Sequence, residues 1–179
     1  MLDRKETQEV LENFNKFIIT EARKNLTRKG INASSTLYDS LDSDVEVFAN
    51  SFRAFVSMET YGEFVDKGVS GTKVKYNTPY SFRSKGGKNG LRGMPPPDMF
   101  RSWIRSKGII ARDKKGRFDE LDDAAFAMAA SAQKKGFRPT LFISRPFELG
   151  FAKLPDELIE AYGLDLENFM EFTLNDKTI

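Results

Sequence analysis

The chain has 179 residues, 40% of them hydrophobic and 30% charged, which suits one globular domain with a core of its own. It contains no cysteine and no histidine, which excludes disulfides, thiolate chemistry, Cys-rich zinc sites and any step needing an imidazole base or ligand. The net charge of +2 conceals a split: residues 67–117 hold 14 Lys/Arg against two acids, a net of +12, and the other 128 residues, with 14 bases and 24 acids, carry −10.

Residues 3–28 predict a long amphipathic helix. Val10, Leu11, Phe14, Phe17, Ile18, Ala22 and Leu26 recur at three- and four-residue steps, Asp3 and Glu6 are spaced as a capping box, and Gly30 is a suitable terminator. The charged N-terminal stretch argues against a secretory signal, and no apolar run is long enough to span a bilayer. A connector follows, with a helical turn around residues 37–41. Val45, Val47 and Ala49, then Phe52, Ala54, Val56 and Met58, alternate with other residues on either side of the polar pair Asn50-Ser51. This predicts a β-hairpin, a single bent strand being the alternative.

Residues 59–68 read as a short helix ending at Gly68, with Tyr61, Phe64 and Val65 facing inward. From residue 69 to 93 no period holds, and six of the 13 glycines fall between Gly68 and Gly93, so this stretch reads as a mobile loop. Pro95, Pro96 and Pro97 stiffen the chain before a helix capped by Asp98, with Met99, Phe100, Trp103 and Ile104 on one stripe. A second basic loop leads to an alanine-rich helix from residue 121, carrying Leu121, Ala125, Met128 and Ala132 at helical spacing. Gly136 and Pro139 end it, residues 140–144 read as a short strand, and residues 154–179 as an acidic helical extension. The expected fold is α+β: a small antiparallel sheet packed by the N-terminal and alanine-rich helices. The expectation is a single domain over residues 1–179, with a basic loop at 69–97 projecting from it.

Catalytic readings find little purchase. Asp66, Asp98, Asp113, Asp119, Glu120, Asp122 and Asp123 lie near the basic region, and a magnesium nuclease needs such carboxylates to converge. The acids at residues 119–123 have a simpler role offsetting a helix dipole, and Glu63 and Asp66 read as solvated helix residues. The glycines of SKGGKNGLRG lack phosphate-loop spacing. Phe14, Phe17, Trp103, Phe126 and Phe169 sit at helical positions expected in a core. Tyr76, Tyr80 and Phe82, interleaved with bases, suit either a neighbouring subunit or stacked nucleobases, with the subunit favoured.

The order of these pieces, with Tyr61, Phe64, Val65, Asp66 and Gly68 in one motif and Arg145, Pro146 and Phe147 in another, resembles the head–tail connection and tail-completion (minor tail-component) proteins of tailed bacteriophages. The resemblance covers most of the chain loosely. It departs from the compact members in the long insertion around residues 94–117 and in the acidic tail. It implies a virion structural protein made in the host cytoplasm, with no catalytic residues, metal or cofactor and no membrane partner. Such a protein is a neck-ring subunit along the DNA channel, in a homomeric ring of about six or about twelve copies. Portal, adaptor or tail proteins would be its further partners, with nonspecific contact to packaged DNA. The residues expected to dock a neighbour or face the channel are Lys73, Lys75, Tyr76, Tyr80 and Phe82, then Arg83, Lys85, Lys88 and Arg92, and in the second loop Arg112, Lys114, Lys115 and Arg117. A nonspecific DNA-binding protein is the alternative, and a magnesium-dependent nuclease is less favoured.

Overall fold

The computed structural model describes residues 4–31, 35–48, 51–82, 93–110 and 120–175. In chain order the elements are α1 (Lys5–Arg28), α2 (Thr36–Asp39), β1 (Asp42–Phe48), β2 (Ser51–Ser57), α3 (Gly62–Lys67) and β3 (Val69–Ser70). They continue with α4 (Pro97–Ser106), α5 (Leu121–Lys135), β4 (Gly136–Phe137), α6 (Ser144–Phe151) and α7 (Leu154–Asn175). The fold is α+β, with a long N-terminal helix and a small antiparallel sheet, as the periodicities predict. The chain forms two compact units: residues 1–59 with 142–179, and residues 60–141 set between them in sequence.

The first unit is organised on α1. Its buried stripe runs Thr7, Leu11, Asn15, Ile18, Ala22, Leu26, a helical repeat that includes two polar side chains with specific partners. Asn15 donates its amide to the carbonyls of Asp44 (3.1 Å) and Phe55 (3.4 Å), which face each other across the hairpin, and so ties both strands to the helix. Arg23 donates to the carbonyls of Tyr38 (3.3 Å) and Leu41 (2.9 Å) and lies over the Tyr38 ring, holding the connector. The hairpin register pairs Phe48 with Ser51, so Ser51, expected in the turn, is the first residue of β2.

The N-terminus of α1 is capped across the fold. Arg4 makes no side-chain capping bond; instead the buried Asp165 carboxylate of α7 accepts from the Glu6 N–H (3.1 Å), the Thr7 N–H (3.0 Å) and the Thr7 hydroxyl (2.6 Å). These N–H groups have no partner within the helix, and a carboxylate there also meets the positive end of its dipole. Asp3, the cap expected from sequence, lies outside the described residues. α6 packs on α1 through Gly150, where an added Cβ would stand 2.9 Å from the Phe14 ring, and the Phe14 and Phe147 rings meet edge to face at 5.7 Å.

In the second unit, Ile104 of α4 packs with Ala124 and Ala125 of α5, flanked by Phe100, Ile109, Leu121 and Met128. The alanines allow the two helices to approach closely. Arg101 bridges Asp98 (2.9 Å) and Asp122 (2.8 Å) across this contact, so Asp98 serves an ion pair and does not cap α4, whose N-cap is Pro96.

Several expectations are corrected. Residues 140–144 form no strand; they turn into α6, with Thr140 and Leu141 donating backbone N–H groups to the Asp66 carbonyl at 3.0 Å each. The strand partner of β3 is instead Gly136–Phe137. α3 buries Gly62 and Asp66 and exposes Tyr61 and Phe64, so its inward face is opposite to the one its aromatics suggest and Asp66 is not solvated. Only part of the α4 stripe is buried, since Met99 and Trp103 are exposed, and Phe17, Phe126 and Phe169 also reach the surface.

Candidate functional site

The site with the most concentrated chemistry is the crossing of β3 and β4 in the second unit. Three glycines permit it. An added Cβ would stand 2.6 Å from the Phe137 carbonyl oxygen at Gly68, 2.3 Å from that of Lys134 at Gly71, and 2.1 Å from that of Val69 at Gly136. Gly68 (φ +72°) and Gly136 (φ +73°) also occupy the left-handed half of backbone space, so glycine is required there on two counts.

Ser70, buried at the centre, organises the segment that follows. Its N–H donates to the Tyr80 carbonyl (2.8 Å) and its carbonyl accepts from the Phe82 N–H (2.9 Å). Its hydroxyl accepts from the Tyr76 N–H (2.9 Å) and donates to the Tyr76 carbonyl (3.0 Å). Thr72, Lys73 and Val74 donate backbone N–H groups to the carbonyls of Gln133 and Lys134 at the end of α5. Residues 69–82 are therefore folded onto β4 and the end of α5, where the lack of periodicity had suggested a loose loop.

This backbone ladder brings two basic segments together. Lys73 and Lys75 on one side, and Lys134, Lys135 and Arg138 on the other, are all exposed, and neither residues 69–82 nor 129–141 contain an acid. Val74 and Phe137 are exposed among them. Lys134 and Lys135 gain from the negative end of the α5 dipole, which explains two of the five cations; the others have no such local reason.

Of the residues singled out from sequence, Lys73 and Lys75 lie at this crossing, exposed. Tyr76, Tyr80 and Phe82 are half-buried and engaged within their own unit: the Tyr80 ring meets Phe64 edge to face at 4.6 Å, and Phe82 meets Phe137 at 5.9 Å. Arg83, Lys85, Lys88, Arg92, Arg112, Lys114, Lys115 and Arg117 lie outside the described residues, as do Asp113 and Asp119. Lys134, Lys135 and Arg138 were missed because they belong to the site only through the pairing of β4; the signal in the sequence was the acid-free run KKGFR after the helix.

Beside the crossing, Lys67 and Glu63 form an ion pair at 2.8 Å on α3. Hydrogen bonds from Lys67 and then Tyr80 hold the Glu63 carboxyl below its ordinary range, while the same carboxylate holds the Lys67 ammonium and the Tyr80 phenol above theirs. Lys67 is exposed and Glu63 and Tyr80 are half-buried, and the carboxylate helps to fix Tyr80.

The first unit holds a groove of about 370 Å³ between α1, β2 and α6, lined by Phe14, Ile18, Phe55, Val56, Ile143 and Phe147. Its polar lining consists of the Asn15 amide, already bonded to the hairpin, and of Ser144 and Glu148 on α6. Among the described residues no cluster of acids is arranged to hold a metal ion. No described helix is long and apolar enough to cross a membrane.

The same unit leaves many large apolar side chains at the surface. They include Val47, Phe48 and Phe55 on the hairpin, Phe147, Leu149 and Phe151 on α6, and Ile159, Tyr162, Leu166, Met170 and Phe172 on α7. Comparison with family models, with curated proteins and with solved structures finds no match to this chain.

Proposed function

We propose that the chain is a structural protein of a tailed-bacteriophage virion, a subunit of a homomeric neck ring of the head–tail connector or tail-completion type along the DNA channel. The observation that carries this reading is the apolar surface of the first unit. Phe172 is 66% exposed, Ile159 73% and Leu149 60%, on a unit that also shows a half-exposed aromatic hairpin. Single exposed apolar residues are ordinary, but so many on one small unit call for a covering partner. The charge split supports the same reading, because a chain with both an acidic and a basic region is suited to head-to-tail contact with its own copies.

The motif residues behind the phage resemblance have structural work that fits a scaffold. Asp66 offers the carbonyl that anchors residues 140 and 141, Gly68 permits the close crossing, and Pro146 is buried in the first turn of α6. The test is composition: mass spectrometry of purified particles and of isolated necks detects the chain in stoichiometric amount, and its absence from virions overturns the reading.

The five cations of the crossing favour a second reading, nonspecific binding of DNA by the monomer. If each cation neutralised one phosphate, log K against log salt would fall with a slope of about −4.5. Filter binding across a salt series beside sedimentation of the free chain separates the readings: a tight, steeply salt-dependent complex with a monomer supports the second.

A further inference from the structure

We propose that α7 of one copy docks on the β3–β4 crossing of the next, so that two surfaces exposed among the described residues are each other's partners. This rests on reading the chain as a self-assembling subunit, and it names the contact.

α7 has two apolar stripes. One, through Leu154, Ala161 and Asp165, is buried in its own unit, where Asp165 caps α1. The other runs Ile159, Tyr162, Leu166, Met170 at steps of three, four and four residues, and is 73%, 49%, 44% and 55% exposed. That spacing is a continuous helical seam of the kind that lies in an apolar groove.

The charge beside the seam selects the partner. Residues 154–175 contain six acids and no base, and Asp156, Glu160, Glu167 and Glu171 share one helix face next to the seam. Glu167 and Glu171 lie far from the first turn of α7, so attraction to the positive end of the helix dipole does not explain them. Two α7 helices paired symmetrically would bring these acids toward one another. The crossing offers the complement: Lys73, Lys75, Lys134, Lys135 and Arg138 around exposed Val74 and Phe137. A DNA backbone would satisfy those cations but leave Val74, Phe137 and the whole α7 seam uncovered. A second copy satisfies all of them. Because each copy carries one surface of each kind, the contact is heterologous and propagates, closing into a ring when the rotation allows.

Charge reversal tests the contact. One variant carries Glu160→Lys, Glu167→Lys and Glu171→Lys, all exposed on α7; the other carries Lys73→Glu, Lys75→Glu and Arg138→Glu, all outside helices. Sedimentation velocity with chemical cross-linking is expected to show the wild-type chain self-associating and each variant alone weakened about 100-fold, with native circular dichroism. An equimolar mixture of the two variants, and a chain carrying all six substitutions, are expected to regain association, since both contacts are again complementary. The proposal is overturned by a wild-type chain that stays monomeric, by a crossing variant that associates like wild type (the sign of a symmetric α7 pair), by failure of the mixture to recover, or by a monomer that binds duplex DNA through the crossing. None of these outcomes alters the composition of the virion, which tests the broader reading separately.

Discussion

Replacing Asp165 by alanine removes the cross-fold cap on the α1 N-terminus, and the structure sets the size of the effect. One buried carboxylate accepts three bonds, from two first-turn N–H groups and the Thr7 hydroxyl. A hydrogen bond to a charged partner is worth about 1.5–3 kcal/mol net, and loss of an N-cap costs about 0.5–2 kcal/mol. The three bonds share one acceptor and do not add, so the expected loss is about 3 kcal/mol, with donors left in a site where Thr7 is only 3% exposed. Asp165→Asn keeps one acceptor oxygen but turns an NH2 group toward donors, and should cost about half as much. Urea unfolding followed by far-UV circular dichroism gives the stabilities, and hydrogen exchange in the first turn of α1 locates the change. Thr7→Val supplies the cycle: its effect should largely vanish in the Asp165→Ala background. If Asp165→Ala lies within about 0.5 kcal/mol of wild type, or first-turn exchange is unchanged, the cross-fold cap is not holding α1.

Gly68→Ala, Gly71→Ala and Gly136→Ala should each destabilise the second unit by about 3 kcal/mol or more, read by the fluorescence of Trp103, whereas Gly108→Ala, at φ +59° but in open space, should cost only about 1 kcal/mol. Asn15→Ala should cost about 1–2 kcal/mol through loss of both carbonyl contacts and raise hydrogen exchange in β1 and β2, and unchanged strand exchange would contradict the role given to Asn15. Phenolate absorbance should place Tyr80 above the ordinary tyrosine value, and Glu63→Gln should bring it back. The stabilisation tied to a raised phenol is present below the ordinary value and is lost as pH rises through the raised one. For the lowered Glu63 it is present above the ordinary carboxylate range and is lost as pH falls through the lowered value.

What could be read beforehand was what periodicity encodes. α1 and α5 are long enough for their apolar spacing to be unambiguous and appear where expected, and of the hairpin and the bent strand the hairpin is found. The apolar run at residues 140–144 was too short to tell strand from helix entry, and Leu141 at φ +51° followed by buried Phe142 shows a turn into the core. The true partner strand contains a glycine and spans two residues, which no periodic pattern registers. α3 was turned the wrong way because its contacts are made by Gly62 and Asp66, a small residue and a buried carboxylate, while its aromatics stay outside. Asp165 acts on a helix 158 residues earlier, beyond the reach of any local capping motif. Lys73 and Lys75 were legible as part of the site from charge alone; Lys134, Lys135 and Arg138 became part of it only when the backbone crossed.

The order of the two units along the chain bears on synthesis. α1 and the hairpin leave the ribosome before residues 60–141, yet the helix that packs on α1 and the carboxylate that caps it come after residue 142. Residues 60–141 are complete before then and can fold while their host is still half made, with residues 140 and 141 already fastened to the α3 backbone. The nascent N-terminal half must therefore wait with its oily side bare. A helix translated late thus closes one translated early.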